Sequence, residues 1–498
     1  MNNVKKSKLN MVISLLYQLV AIALGLLIPR MTMVVYGSEV NGLLSSVLQF
    51  IGYLSLLEAG IQAVAMKSMF KTVATEDHEG TNAILSAVNT NYRKIGIYYL
   101  LGLIILAAVY PFIIKEDLNY ITVFLVVLFS GLSNVALFFF QGKYRILLLV
   151  DGKQYYIGIV NIITTILSHG VKILLIYLEC SIAMIVFGTF VASLIPVVAI
   201  MIYIRKSYKW INLKAEPNFG ALEQSKDAII HQIAYVIFSG TDVLFLTVFC
   251  DLKVVSVYVI YKMINDYIFA FSKIPLDSIS FRLGQIFNVD KERFKKCIGP
   301  VELFTSNVSF ILFTVTLCLS TSFVGLYSTG IYDINYVDPV LAILFVLCQL
   351  LDCMRRPMLN TINYAGHFKQ TLKPTIFETI INLVASILGI AFLGIYGVLL
   401  GTIFALLYRT IDIIVYANKK LLNRSPYRNF LYYVIELFVL AIIYVSFINL
   451  NIDIGSYFEF IIVGFVLTLC TAVIFITISC IVFKKEARFL YSYLKKDK

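Results

Sequence analysis

Six ionisable residues interrupt stretches of about 20 apolar residues, where a charge needs a partner, a cavity or an interface. They are Arg30, Lys172, Lys262, Asp242, Asp266 and Glu58. At the centre of a membrane helix a charge costs roughly 2.5–3.5 kcal/mol on insertion scales, so we expect none of them to face lipid. The sequence therefore predicts a polar cavity within a bundle of helices.

The three cations among these residues favour an anionic ligand. Arg30, Lys172 and Lys262 each lie in the predicted outer half of an apolar stretch. A guanidinium binds a phosphate or pyrophosphate through two parallel hydrogen bonds, whereas an ammonium offers a point charge. We predict that these cations line a positively charged lumen that binds such a head group, with Arg30 as the principal contact.

The acidic residues are candidates for charge pairing or for binding a coupling ion. Asp242 and Lys262 have the same estimated depth on helices joined by a short loop, which predicts that they are partners. Asp266 follows Lys262 by four residues, on the same helix face. Glu58 lies towards the predicted inner side.

Further charged residues lie near the predicted cytoplasmic ends of apolar stretches. Arg409 and Asp412 are spaced three apart, which predicts a structural ion pair. Arg355, Arg356 and Glu378 are shallow enough to extend towards the cytoplasmic head groups.

The sequence lacks the motifs of an enzyme. It contains no HExxH, phosphate-binding loop or nucleophile-elbow motif, and its eight cysteines include no CxxC pair. Neither the histidines nor the cysteines have the spacing of metal ligands. We expect no catalytic residue, metal or cofactor.

The composition excludes a soluble protein. Of 498 residues, 60% are hydrophobic and 14% are charged, against about 25% charged in ordinary soluble domains. The net charge of +12 is spread over short segments between apolar stretches, which argues against a nucleic-acid partner. The fold class predicted is an all-α integral membrane protein.

Fourteen transmembrane helices are predicted from apolar stretches bounded by charge. They are residues 9–36, 41–66, 95–114, 119–141, 155–178, 181–204, 228–250, 254–276, 300–323, 337–362, 374–394, 396–417, 430–449 and 457–483. One set of connections, with both termini, holds thirty-two Lys and Arg residues, and the opposite set holds two. The positive-inside rule then places both termini in the cytoplasm.

The spans divide into four segments. We predict a six-helix bundle over 1–204, a cytoplasmic linker over 205–227, a second, parallel six-helix bundle over 228–417, and two additional helices with a basic tail over 418–498.

Several short motifs resemble those of oligosaccharide flippases of the polysaccharide transporter family. They are Tyr36-Gly37, Asn41-Gly42, Leu57-Glu58-Ala59-Gly60, Gln141-Gly142-Lys143-Tyr144-Arg145, Ser239-Gly240-Thr241-Asp242 and Val255-Ser256-Val257-Tyr258. Their order, together with the fourteen-span layout, extends the resemblance over essentially the whole chain.

The resemblance implies a fold like that of multidrug-and-toxin exporters, in a bacterial cytoplasmic membrane. Such proteins move an undecaprenyl-pyrophosphate-linked oligosaccharide to the outer leaflet by alternating access, for the synthesis of cell-surface polysaccharide. The partners it implies are this substrate, membrane lipids and a coupling ion, H⁺ or Na⁺. We expect a monomer, with polysaccharide polymerase machinery as a candidate partner.

Two alternatives remain open at this point. A cation-coupled drug antiporter of the same fold predicts an acidic, aromatic cavity without inner cations, which Arg30, Lys172 and Lys262 argue against. A membrane enzyme such as a polysaccharide polymerase predicts a large outward loop, but the longest outward connection is Val324–Tyr336.

Overall fold

The computed structural model describes residues 3–58, 61–115, 118–222 and 226–488, and all regular structure within these ranges is helical. The α-helices, in chain order, are α1 (Asn3–Leu54), α2 (Ile61–Ala74), α3 (His78–Val109), α4 (Tyr120–Ala136), α5 (Gly142–Val150), α6 (Gln154–Tyr177), α7 (Ile182–Ser193), α8 (Ile195–Ser207), α9 (Lys226–Phe249), α10 (Leu252–Val289), α11 (Lys291–Tyr327), α12 (Pro339–Tyr364), α13 (Phe368–Leu393), α14 (Ile395–Tyr416), α15 (Tyr427–Asn449) and α16 (Tyr457–Val482).

The helices match the predicted spans and confirm the predicted fold class. In the described part of the chain, eleven helices are long and apolar enough to cross a membrane. The first two predicted spans both fall on α1 in this count, and α9 and α12, which correspond to the predicted spans 228–250 and 337–362, are not among the eleven. In an apolar medium a helix is favoured because it satisfies every backbone N–H and C=O group within one segment.

The first two predicted spans are joined without a loop. Helix α1 contains one non-helical residue, Gly37, whose φ of 81° and ψ of 172° turn the chain sharply. A positive φ is readily adopted only by glycine, which explains this residue at the turn. The turn divides α1 into a first arm, residues 3–36, and a second arm, residues 38–54.

Two parts of the structure depart from the predicted boundaries. Helix α3 begins at His78, so much of the predicted connection over 67–94 is helical. Asp77 caps this helix by accepting a hydrogen bond of 2.8 Å from the Gly80 N–H. At 32 residues α3 is about 48 Å long, which exceeds a hydrocarbon core of about 30 Å.

The sixth predicted span is broken into two helices. Residues 181–204 correspond to α7 and α8, which are separated at Leu194. Pro196 lies in the first turn of α8, where backbone N–H groups have no partner within the helix. Proline, which lacks an N–H, therefore costs no hydrogen bond there.

Contacts between Cα atoms divide the chain into two compact units, Met1–Ser256 and Val257–Lys498. In the first unit, α1 packs against α6 and α9, α3 against α4, and α4 against α7. The division into bundles over 1–204 and 228–417 stays a prediction.

In the second unit, α13 and α14 form a closely packed hairpin around Gly394, whose φ is 55°. A methyl group at Gly389 would overlap the backbone of Gly397, and one at Gly401 would overlap Ser386. Small residues spaced four apart let membrane helices approach in this way. Helix α11 packs against α12, α15 and α16.

Candidate functional site

Arg30 and Lys172 lie at the same level on neighbouring helices. Tyr36, at the end of the first arm of α1, donates a hydrogen bond of 2.6 Å to the carbonyl oxygen of Cys180, just after α6. Near the other end, Gly158 of α6 lies against Ile13. The two segments therefore run parallel, with an offset of about 144 residues.

This register brings two of the predicted cavity cations to one depth. With that offset Arg30 is level with Leu174, two residues from Lys172, which corresponds to about 3 Å along the helix axis. Both side chains are partly buried.

Lys172 has no hydrogen bond or ion pair with the residues that the structure describes. It lies close to the end of α6, a helix apolar enough to cross a membrane. His169, one turn earlier, is its nearest ionisable neighbour along the helix and interacts with it electrostatically. A partly buried ammonium without a counter-ion is suited to an anionic ligand.

Glu58 forms a hydrogen bond that links the second arm of α1 to α3. It ends a 3-10 turn over Ser55–Glu58, and its Oε1 accepts a bond of 2.5 Å from the Tyr92 hydroxyl. Arg145 interacts electrostatically with both residues. Glu58 is thus held in place within the first unit.

Lys262 and Asp266 are in contact, as their spacing predicts. Lys262 Nζ lies 2.8 Å from Asp266 Oδ2, and Gln349 of α12 donates a bond of 3.0 Å to Asp266 Oδ1. The Lys262 side chain is 31% exposed. An acidic partner one turn away lowers the cost of placing Lys262 in an apolar helix.

Asp242 is buried in α9, with 7% of its surface exposed. Tyr53 of the second arm of α1 interacts with it electrostatically. Asp242 belongs to the first unit and Lys262 to the second, and their pairing stays a prediction.

The second arm of α1 closes against α9 and the start of α10 near the Gly37 turn. Ser46 Oγ and Thr247 Oγ1 lie 2.6 Å apart, and Asn41 Nδ2 donates a bond of 2.7 Å to Ser256 Oγ. All four side chains are almost fully buried. We use the name polar closure for these two contacts together with the close approach of Gly42 to the Leu252 backbone.

Gly42 fixes how closely these helices approach. A methyl group at Gly42 would overlap the carbonyl oxygen of Leu252. Tyr110 donates a hydrogen bond of 2.8 Å to Ser46 Oγ, which ties α3 to the same point. At the rim, Lys253 Nζ lies 3.3 Å from Glu39 Oε1.

Helices α12, α13 and α14 share a buried arrangement of three arginines and three carboxylates, which we call the arginine–carboxylate network. Its members are Asp352, Arg355, Arg356, Glu378, Arg409 and Asp412. Arg355 bonds Asp352 and Glu378, both at 2.6 Å, and Arg409 Nε lies 3.5 Å from Glu378 Oε2. The formal charges in the network cancel.

The predicted pair of Arg409 and Asp412 is confirmed, with Nη1 and Oδ2 2.5 Å apart. The prediction that Arg355 and Glu378 extend to the head groups is wrong. Their side chains are 13% and 9% exposed and bond each other, because an ion pair within the bundle satisfies both charges.

Two features of the structure were not predicted: the arginine–carboxylate network and the contact of Ser46 with Thr247. Only the network has a signal in the sequence. Asp352, Arg355 and Arg356 are spaced three and four apart, which places them on one helix face. The hydroxyl contact of Ser46 and Thr247 has no such signal, because it joins residues 201 positions apart.

No metal site is visible in the ranges that the structure describes, which hold no group of three or more His, Cys, Asp or Glu side chains able to bind an ion.

Neither a protein-family model nor a curated protein matches this sequence. Among solved structures, the chain is similar to the lipid II flippase MurJ in an inward closed conformation. The TM-score is 0.69 at 14% identity, over 95% of this chain and 98% of that chain.

The chain is also similar to MATE transporters. The multidrug transporter DinF-BH has a TM-score of 0.57 at 13% identity, over 84% of this chain and 95% of that chain. An inward-facing multidrug resistance transporter of the MOP superfamily has a TM-score of 0.55 at 12% identity, over 84% and 98%. At these identities the likeness establishes the fold, which is the one that MurJ and the MATE transporters share.

Proposed function

We propose that the protein is a flippase that moves a polyprenyl-pyrophosphate-linked oligosaccharide across the bacterial cytoplasmic membrane by alternating access. The product would enter the synthesis of a cell-surface polysaccharide such as capsule, O-antigen or exopolysaccharide. Both termini are then cytoplasmic, and the Gly37 turn of α1 lies on the outward side.

The observation that carries the proposal is the common level of Arg30 and Lys172. Two cations at one depth on adjacent helices suit a ligand with more than one negative charge. A pyrophosphate is such a ligand, and the guanidinium of Arg30 can bind it in a forked geometry. Lys172 contributes by its field, which an apolar surrounding screens weakly.

The likeness to MurJ supports a lipid-linked substrate. MurJ is a flippase of lipid II, and its similarity extends over 95% of this chain, against 84% for the two MATE transporters compared above. The motifs of the first and second arms of α1 and of α9 resemble the same kind of protein. The sugar carried by this chain is not part of the proposal.

The polar closure supports alternating access. Its two polar contacts are single hydrogen bonds between neutral side chains, each of about 0.5–1.5 kcal/mol net, so they can form and break in every cycle. On the predicted orientation, this closure blocks the outward side while the inward side receives the substrate.

A drug antiporter is the second candidate, because MATE transporters share the fold. Asp242, buried in α9, would be the cation contact in that case. The two candidates differ in the charge of their ligands, and the common level of Arg30 and Lys172 favours the first.

Substitutions at Arg30 test the proposal in a flippase-deficient strain. We expect Arg30→Ala nearly to abolish glycan export and Arg30→Lys to impair it clearly, both at normal protein level. Arg205→Ala is the matched control, because Arg205 is exposed at the end of α8. Full export by Arg30→Ala would show that Arg30 is an interfacial anchor.

A further inference from the structure

Glu436 is a buried carboxyl group in α15 that the substrate proposal leaves without a role. Only 4% of its surface is exposed. It lies nine residues after the start of the helix, about 14 Å along it, and thirteen residues, about 20 Å, before the end. Asn429, Tyr433 and Leu440 lie on the same buried face.

The described residues give this carboxyl group one hydrogen-bond donor. The Ser306 hydroxyl of α11 donates to Glu436 Oε2. The other oxygen, Oε1, is buried and has no hydrogen-bond partner. An ionised carboxylate in such a place would be uncompensated, which costs several kcal/mol.

A second glutamate nearby has the kind of hydrogen-bond and ion-pair partners that an ionised carboxylate requires. Glu302, one turn before Ser306 on α11, lies 2.7 Å from Arg424 Nη2 and accepts a hydrogen bond from Asn429. Glu302 has a cation and an amide donor, whereas Glu436 has only a hydroxyl.

The other charged or titratable groups around Glu436 are occupied elsewhere or neutral. Arg428 pairs with Glu486, beyond the end of α16, and Tyr433 donates a bond of 2.7 Å to the Met354 carbonyl oxygen of α12. The Tyr432 ring packs edge-to-face against the Phe483 ring. Arg424 is bound to Glu302, and Cys353 of α12 lines a small cavity together with Ser306.

A small cavity lies next to Ser306. The cavity volume is about 10 Å³, which is room for about one water. Ser306 lines this cavity together with Glu302, Thr305, Ser309 and Tyr433. The Ser306 side chain therefore lies between this cavity and Glu436.

We propose that Glu436 is a proton-binding site, occupied in this conformation and filled through the Ser306 hydroxyl. A hydronium ion in the cavity gives a proton to Ser306 Oγ, which passes its own proton to Glu436 Oε2. The hydroxyl is restored, a water remains, and the carboxylate becomes a neutral carboxyl group whose Oε2–H now donates to Ser306 Oγ. Release follows the reverse path, from Glu436 Oε2 through Ser306 Oγ to a water in the cavity.

The proton site itself is independent of the substrate, whereas its use as the coupling site for transport rests on the proposed function. In that role the site fixes the coupling ion as H⁺, because one carboxyl and one hydroxyl offer too few oxygen ligands for Na⁺.

Infrared difference spectroscopy of the full-length protein in lipid, without substrate, tests the proposal. We expect wild type minus Glu436→Gln at neutral pH to contain the C=O stretch of a protonated carboxyl group. The control is Glu459→Gln, whose exposed carboxyl should give carboxylate bands only. Carboxylate bands alone in the Glu436→Gln difference would overturn the proposal.

Ser306→Ala provides a second variant that keeps the carboxyl group and guards against a folding defect in Glu436→Gln. We expect the carboxyl band to remain and to shift to higher frequency, because the carboxyl group loses its hydrogen-bond partner. A band unchanged by Ser306→Ala would contradict the role of the hydroxyl. Failure of lipid translocation with both infrared results intact would refute the proposed function and leave the proton site standing.

Discussion

Ser46 and Thr247 lie with their hydroxyl oxygens 2.6 Å apart, and both side chains are buried. The contact joins the second arm of α1 to α9, within the first unit. A hydroxyl pair costs little to open compared with an ion pair, because neither group is charged. It is therefore suited to a surface that must separate in the proposed alternating-access cycle.

Gly42→Leu should hold this surface open. A side chain at Gly42 would overlap the Leu252 carbonyl oxygen, so the polar closure cannot form. We expect faster labelling of the half-buried Cys250 thiol, in the adjacent loop, by a membrane-impermeant maleimide. We expect slow labelling in the wild type, because burial raises the pKa of Cys250 and reduces its thiolate fraction.

Cys180 is the internal reference for this experiment, because it lies in another loop of the first unit. Peptide mass spectrometry quantifies both sites in the same protein. Equal labelling of Cys250 in the wild type and in Gly42→Leu would show that the polar closure does not control access.

Glu378→Gln should destabilise the second unit. The substitution leaves Arg355 and Arg409 each short of one buried counter-charge. Removing one partner from a buried ion pair costs about 3–5 kcal/mol of unfolding free energy. A large fall in Tm is expected, against no change for Glu216→Gln in an exposed loop. A fall no larger than that of the control would mean that the network does not stabilise the unit.

The arginine–carboxylate network contains one contact that the sequence predicts and one that it does not. The pair of Arg409 and Asp412 follows from a spacing of three on one helix. The bond from Arg355 to Glu378 joins two helices, and no local pattern indicates which helices are neighbours. Depth alone predicted exposure at the head groups, and the tertiary packing provided a partner instead.

Gly389→Ala should weaken the hairpin of α13 and α14. A methyl group there would overlap the Gly397 carbonyl oxygen, so the helices must move apart. Gly170→Ala is the matched control, because nothing lies within 4 Å of the added methyl group and alanine favours a helix by about 0.5–1 kcal/mol. We expect Tm to fall for the first and to hold or rise for the second. The same Tm change in both variants would contradict the packing argument.

Lys153→Met should reduce stability at neutral pH and make it less sensitive to alkali. Burial alone would lower the pKa of Lys153, but its bonds to Asp151 and Tyr208 raise it overall. A lysine with a raised pKa contributes stability below its unfolded pKa of about 10.4 and loses it as the pH rises through the folded value. We expect a loss of about 1–2 kcal/mol at pH 7.

The difference between wild type and Lys153→Met should shrink above about pH 10. Burial and the hydrogen bond to Asp151 raise the pKa of Tyr208 as well, so the wild type should lose further stability in the same range. Denaturant unfolding at several pH values measures this. A difference that does not change with pH would show that the Lys153 charge contributes nothing.

The sequence predicted more of the fold than of the site. Long apolar stretches bounded by Lys and Arg are sufficient to locate helices, and the described part of the chain holds eleven that are long and apolar enough to cross a membrane. For the site, the spacing of Lys262 and Asp266 predicted a contact on one helix. The common level of Arg30 and Lys172 depends on the parallel register of two helices, which a sequence alone does not reveal.

Translocation by the purified protein in liposomes tests the central claim most directly. The probe is a polyprenyl-pyrophosphate-linked oligosaccharide with a fluorophore that an external, impermeant reductant quenches. We expect the wild type and Arg205→Ala to expose the inner-leaflet pool, Arg30→Lys to do so slowly and Arg30→Ala hardly at all. Protection of that pool in wild-type liposomes, together with export of a cationic dye, would contradict the flippase and favour the antiporter.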